Sequence, residues 1–377
     1  MKSKNARIPA IDGLRTLAVM GVLWTHVWMF FKNIPMKIGP VDINRIIAFG
    51  RHGVDLFFVI SGFCMYLMYA SRIDHFNASN FFGFLKKRWF RIAPAFYAIV
   101  IFDSFLMLYK LGIFPFRELS FHLLFINIFL GKHDFAPHYW SLATEFHFYL
   151  LFPFLFLQLK SQRDLTIRII VLMLICLVFR LVLFYDHLEE VLAKETITST
   201  AIWYRFIEFG WGIMAAQIYV LKKMLPRWAV GSSGIILGFI ISYIGKIFIT
   251  TEFVRHFGAD AFVFRALGEP LMTFGFSWIL ISLISTENLF NRILSVRPFL
   301  FLGKISYSMY LWHWIVGQTL ANWLIVKWGL NLETFYICLL ISFILAIPVS
   351  LLSFKLFEEP YFKRNPKLKQ MAYLEVV

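Results

Sequence analysis

Long apolar runs, broken at intervals by short clusters of Lys, Arg, Asp, Pro and Gly, occupy almost the whole chain. A helix that crosses the hydrocarbon core needs about 20 mainly apolar residues. Ten stretches reach that length: 11–31, 49–71, 90–109, 139–159, 167–185, 203–221, 229–250, 264–284, 302–326 and 334–357. The run 121–131 is too short to span and reads as an interfacial or re-entrant segment. No internal repeat, low-complexity tract or long soluble linker separates the runs. The predicted fold class is all-α: a polytopic transmembrane helix bundle of about ten spanning helices. Residues 1–360 form one membrane domain in this reading, and 361–377 a basic cytoplasmic tail. Gly234 and Gly238 form a G-x-x-x-G that predicts a close helix contact. The opening stretch MKSKNARIPAIDGLRTLAVMGVLW is basic and then apolar, as a signal peptide is. It carries Asp12 and Arg15, runs on to Phe31 and has no small-x-small cleavage site, so it reads as a retained first helix.

Composition rules out the alternatives. Of 377 residues, 59% are hydrophobic and only 16% charged, with 45 Phe, 12 Trp and 15 Tyr. A water-soluble domain would carry about a quarter of its residues charged. Disordered, coiled-coil, collagen-like and disulfide-framework readings fail on the same numbers. Lys and Arg exceed Asp and Glu, 37 to 22. No basic stripe with interleaved aromatics stands outside the apolar runs, so the excess is not read as nucleic-acid binding. It fits cations retained on the cytoplasmic side during insertion. With the N-terminus inside, the segments placed in the cytoplasm are the richer in Lys and Arg, which predicts both termini cytoplasmic. The outer segment 186–201 is acidic. Cys64, Cys176 and Cys338 all lie in apolar runs with no C-x-x-C pair, and read as buried packing residues.

Charges inside apolar spans are costly, so each is a functional candidate. Arg15 and His26 share the first span. Eleven residues make about three turns, so the two face the same way about 16 Å apart. Asp55, Glu145, Glu208 and Glu269 fall at nearly the depth of His26, near the outer ends of four other spans; His313 falls closer to mid-membrane. If those faces converge they form a polar chamber; otherwise each is a structural ion pair or a snorkelling group. The second cluster is KKRWFRIAP. Lys86, Lys87, Arg88 and Arg91 form either a stop-transfer flank or a phosphate clamp, since Arg offers paired donors to phosphate oxygens. No P-loop, G-x-G-x-x-G, H-E-x-x-H or G-x-S-x-G occurs. No metal site is predicted. His133 and His138, in an outer loop, read as solvated.

These segments together resemble the acyltransferase-3 family of integral membrane acyltransferases, from Ile11 to about Lys363. IDGLRTLAVMGVLWTHVW is similar to the opening motif, with Arg15 and His26. GVDLFFVISGF resembles the second-helix signature, with Asp55 and Ser61, and KRWFRIAP the R-x-x-R element, with Arg88 and Arg91. YWSLATEFHFYLLFP resembles the fourth-span motif, with Trp140, Ser141 and Glu145. LGKISYSMYLWHWIV and FEEPYFKR resemble the late signatures, with Tyr310, His313 and Glu358.

The resemblance implies transfer of an acyl group, commonly acetyl, from cytoplasmic acetyl-CoA to a hydroxyl of a glycan outside or at the membrane. A multi-pass protein of the bacterial plasma membrane follows. The chain ends shortly after the tenth span, which would leave out the extracytoplasmic hydrolase-like domain that some members carry. Carried over residue by residue, His26 is the catalytic base or a transient acyl carrier. Glu145 or Asp55 would orient its ring. Arg15, Arg88 and Arg91 would hold the donor's phosphates. Trp140, Ser141, Tyr310 and His313 would contact the acceptor. The reach of a pantetheine arm is comparable to the Arg15–His26 offset. A transporter or flippase for a glycan or lipid-linked sugar is the rival reading. The sequence does not specify the acceptor, the acyl length or the oligomeric state.

Overall fold

The computed structural model describes residues 8–38, 41–69, 78–130, 135–159, 161–193, 197–221, 225–257 and 261–364. Among the described residues the regular structure is helical apart from a pair of two-residue antiparallel strands, β1 (Lys37–Ile38) and β2 (Val41–Asp42). In chain order the helices are α1 (Pro9–Phe30), α2 (Asn44–Phe49), α3 (Gly53–Tyr69), α4 (Ala78–Leu111), α5 (Phe116–Leu123), α6 (Trp140–Leu151), α7 (Gln162–Ala193), α8 (Ile197–Thr200) and α9 (Ile202–Val220). There follow α10 (Gly231–Phe248), α11 (Thr251–Phe257), α12 (Ala261–Ser285), α13 (Leu289–Leu294), α14 (Arg297–Lys304), α15 (Ser306–Trp328), α16 (Leu332–Ser353) and α17 (Glu359–Arg364).

Among the described residues, six helical stretches are long and apolar enough to cross a membrane: Ile46–Met68, Phe81–Leu111, Gln162–Tyr185, Gly231–Phe248, Ala261–Ser285 and Leu332–Lys363. Each overlaps a predicted span. The other four predictions fall on α1, α6, α9 and α15. Three of these helices are long enough, at 22, 19 and 23 residues. They fall short because polar and charged residues interrupt their apolar windows, and those interruptions include the candidate site residues His26 and His313. The prediction of one spanning helix over 139–159 needs correction. The α-helix there has 12 residues and tightens into a 3-10 turn at Phe152–Phe156, where Pro153 removes a backbone donor. The short run at 121–131 contains the end of α5 and a 3-10 turn at Asn127–Phe129, with His122 and Asn127 buried.

The chain separates into two compact units. The first gathers residues up to Phe57, Pro94–Ile99 and Asn291 onward; the second gathers Phe58–Ala93 and Val100–Phe290. In the first unit α1 packs against α14, α15, α16 and the 3-10 turn Gly50–His52. Backbones touch where side chains are missing: a Cβ on Gly13 would strike the carbonyl of Leu294, and one on Gly303 that of Asp12. The N-terminus of α16 is capped by Asn331, whose side-chain oxygen accepts from the Thr334 amide at 2.9 Å. At its other end the helix widens into a π-helical turn, Phe354–Glu358. The buried Glu358 carboxylate there accepts from the Ser308 hydroxyl at 2.5 Å, which ties α15 to the end of the chain's last long helix. The predicted tail starts within α17, where Tyr361 and Phe362 pack on Ile305 and Phe354; residues 365–377 lie outside the described residues.

In the second unit α7, α9 and α12 pack on one another, and α10 lies along α12. The predicted G-x-x-x-G contact is present. A Cβ on Gly238 would meet Ile279 and the carbonyl of Gly275. The three cysteines are buried free thiols, as expected. Gly238→Leu should separate α10 from α12 and cost about 1–3 kcal/mol. A thermal unfolding scan in detergent should show a lower midpoint than wild type; an unchanged midpoint would refute this contact.

Candidate active site

In the first unit, His26 and His313 meet across two helices 287 residues apart in sequence. His26 Nδ1 lies 2.7 Å from His313 Nε2, with the ring planes within 9° of parallel. His313 is buried, and its Nδ1 lies 2.6 Å from the carbonyl oxygen of Tyr310. A carbonyl only accepts, so Nδ1 of His313 carries the proton and donates. In the neutral ring, Nε2 of His313 is then the acceptor and His26 Nδ1 must donate to it. The lone pair of His26 is thereby placed on Nε2. Trp314 stands edge-on to His26 at 5.0 Å, and Phe30 packs on Trp314 at 4.7 Å, which limits rotation of the half-buried His26 ring. Tyr310 contributes mainly through its backbone; its own ring lies 5.7 Å from that of His313.

The acids predicted to orient His26 have other companions. Asp55 Oδ2 is 2.6 Å from His52 Nδ1, and both groups are buried. Glu145, in the second unit, accepts from Ser61 at 3.0 Å and from Tyr149 at 2.6 Å. The group that the structure brings to His26 is a second imidazole. His52, in the 3-10 turn at the start of the predicted span 49–71, was not singled out in the sequence; its one readable mark was the i, i+3 spacing to Asp55.

Arg15 is wholly buried in the first unit and pairs with Asp12, one turn earlier on α1, at 3.1 Å. The KKRWFR cluster divides. Lys86 and Lys87 are exposed, as a flank requires, whereas Arg88 and Arg91 are buried. Arg88 donates toward the Met68 sulfur at 3.3 Å and lies 5.7 Å from the rings of Phe84 and Tyr149. Both guanidinium groups are within Coulombic range of Glu145. Ser141 is buried and donates to the His138 carbonyl at 2.9 Å, at the start of the helix that carries Trp140. His138 is buried against Tyr139 rather than solvated; His133 lies outside the described residues.

Glu208 and Glu269 do converge, and they do so on arginines. Arg180 donates to Glu269 at 2.8 Å and Arg205 to Glu208 at 2.9 Å, with cross-distances of 3.8 Å. Three helices, α7, α9 and α12, supply this cluster. Among the described residues no group of three or more His, Cys, Asp or Glu is arranged to hold a metal ion.

The acyltransferase-3 family model, described as an acyltransferase domain, matches residues 8–353. The chain belongs to that family. It is 26% identical over 387 residues to O-acetyltransferase OatA of Staphylococcus aureus (strain NCTC 8325 / PS 47), covering 97% of this chain and 59% of that protein. A second Staphylococcus aureus protein (strain COL), whose name assigns it O-acetyltransferase activity provisionally, is 25% identical over 394 residues with the same coverage. The chain thus spans about three-fifths of the length of the curated relatives it matches. No solved structure matches it.

Removing one partner of a buried ion pair leaves the other charge uncompensated, at a cost of about 3–5 kcal/mol. Glu269→Ala should therefore destabilise the second unit strongly and Glu269→Gln less. Midpoints from intrinsic fluorescence check the order; equal midpoints for all three proteins would contradict the buried pairing.

Proposed function

We propose that this protein is an integral membrane O-acyltransferase. It moves an acetyl group from cytoplasmic acetyl-CoA to a hydroxyl of a glycan outside or at the membrane, in the bacterial plasma membrane with both termini inside. The observation that carries the reading is the Tyr310 carbonyl–His313–His26 chain, in a protein that belongs to an acyltransferase family. A directed lone pair on a half-buried imidazole is what an acyl-transfer base requires. In the direct route, His26 Nε2 takes the proton of the acceptor hydroxyl as its oxygen attacks the thioester carbonyl. The C–S bond breaks, and the proton goes to the departing thiolate. In the two-step route, Nε2 itself forms the C–N bond as C–S breaks and the thiolate leaves; the acceptor oxygen then displaces the imidazole, whose freed Nε2 takes the hydroxyl proton and passes it on to the thiolate or to water. In both, His313 acts as a positioning residue and stabilises the cationic ring.

Arg15, on the same helix as His26, is assigned to the donor's phosphates, and so are Arg88 and Arg91. Trp140 and Tyr310 are assigned to the acceptor. Asp55 serves His52, and Glu145 balances the arginine pair. The O-acetyltransferase names of the relatives favour acetyl among acyl groups and a hydroxyl as acceptor.

The deciding experiment gives labelled acetyl-CoA to the purified chain in liposomes with an added glycan. Label on glycan or on His26 supports the reading; movement of sugar across the bilayer without acylation would support a flippase instead. His26→Ala should lower transfer by about 10²–10⁴-fold with the folded fraction unchanged, and retained transfer would end the assignment. His313→Phe should lower kcat more than it raises KM, with His313→Gln recovering part of the loss because an amide oxygen still accepts from His26. Arg88→Ala with Arg91→Ala should weaken donor binding about tenfold or more, which isothermal titration with CoA reads directly.

A further inference from the structure

We propose that the Arg180–Arg205–Arg265 cluster of the second unit is a binding site for a single oxyanion, a carboxylate or phosphate carried by the acceptor. Three guanidinium groups gather around two carboxylates here. Arg180 and Arg205 take up Glu269 and Glu208 at hydrogen-bond distance. Arg265 does not: its Nη1 is 3.9 Å from Glu269, and its Nε and Nη1 are buried without a hydrogen-bond partner among the described residues. The same is true of Nη2 of the fully buried Arg180 and of the hydroxyl of the fully buried Tyr204, whose ring lies under Arg180 at 3.6 Å and near Arg205 at 5.3 Å. Several buried donors without a hydrogen-bond partner in one low-dielectric place are expensive unless an anion completes them.

The position suits an anion. Arg205 and Glu208 lie in the first two turns of α9, and Arg265 in the first two turns of α12, so two helix N-termini add partial positive charge. The least buried side chains of the group are Arg265 and Arg205, at 16% and 10%, and they give the approach. Arg205 also lies over the half-buried Trp140 ring at 4.9 Å. An aromatic face beside an oxyanion site is the recognition pair expected for a sugar ring that bears an acid or a phosphate. The inference rests on the acceptor being a glycan, and it places acidic or phosphate-linked glycans ahead of neutral ones.

Binding can be measured without any acyl donor, on purified full-length His26→Ala protein, so that failure here is separate from failure of the transferase reading. Isothermal titration and thermal shift are recorded with methyl glucuronoside and with neutral methyl glucoside. Phosphatidylglycerol is then compared with phosphatidylcholine in nanodiscs. Saturable stabilisation by glucuronoside identifies a sugar acid as the source, and stabilisation by phosphatidylglycerol identifies a lipid phosphate. Arg265→Gln should weaken the active arm about tenfold and Tyr204→Phe several-fold, each with a ligand-free midpoint near that of the parent. Stabilisation by neither anion, equal stabilisation by the neutral sugar, or full binding retained in both variants would overturn the proposal.

Discussion

An arginine or glutamate that leaves water must find its counter-charge inside the protein, and that constraint organises the polar part of this molecule. Arg15 is matched by Asp12 a turn away. Arg180 on α7 is matched by Glu269 on α12, and Arg205 by Glu208 one turn along α9. Arg88 and Arg91 face the field of Glu145. Each match fixes a side chain that would otherwise sample many rotamers, and the contacts of Arg180 and Arg205 that cross between α7, α9 and α12 tie those helices together. The apolar surfaces provide bulk burial, whereas the charge pairs determine which faces of α7, α9 and α12 turn toward one another. The helices that carry His26 and His313 are among those whose apolar windows fall short. Polarity that weakens a helix as a lipid-facing span is what qualifies it to line an interior.

The helix paths were largely legible in the sequence, because a run of apolar residues is a local signal. So was the G-x-x-x-G contact at Gly238, since small residues at that spacing carry a direct steric meaning. The boundary failures have local causes as well. Pro153 cuts α6 short, and α4 and α7 continue well past their apolar segments into polar residues that still favour helix.

The candidate site was legible in its members and not in its pairings. His26, Arg15, Arg88 and Glu145 stood out as charges or imidazoles in apolar surroundings. Nothing in a linear pattern says that residue 26 will meet residue 313, whereas the pairing of Asp55 with His52 had only its i, i+3 spacing as a mark. Depth along a helix can be counted from sequence, but rotation about its axis relative to a neighbour cannot. For that reason the depth argument succeeded for Glu208 and Glu269, which do meet, and did not identify the arginines that receive them. The burial of Arg88 and Arg91, and the exposure of Lys86 and Lys87 beside them, also turns on rotation: four adjacent cations divide between two helix faces.

The two imidazoles form a proton path with an entrance and no exit. A carbonyl oxygen cannot be protonated under ordinary conditions, so the Tyr310 backbone ends the chain as firmly as a wall. A proton gained at His26 Nε2 can spread its charge toward His313, but it cannot leave by the far ring unless that ring swings away from its anchor. In the proposed reaction, deposit and withdrawal would therefore share one atom, and the order in which reactants arrive there would set the direction in which the proton travels.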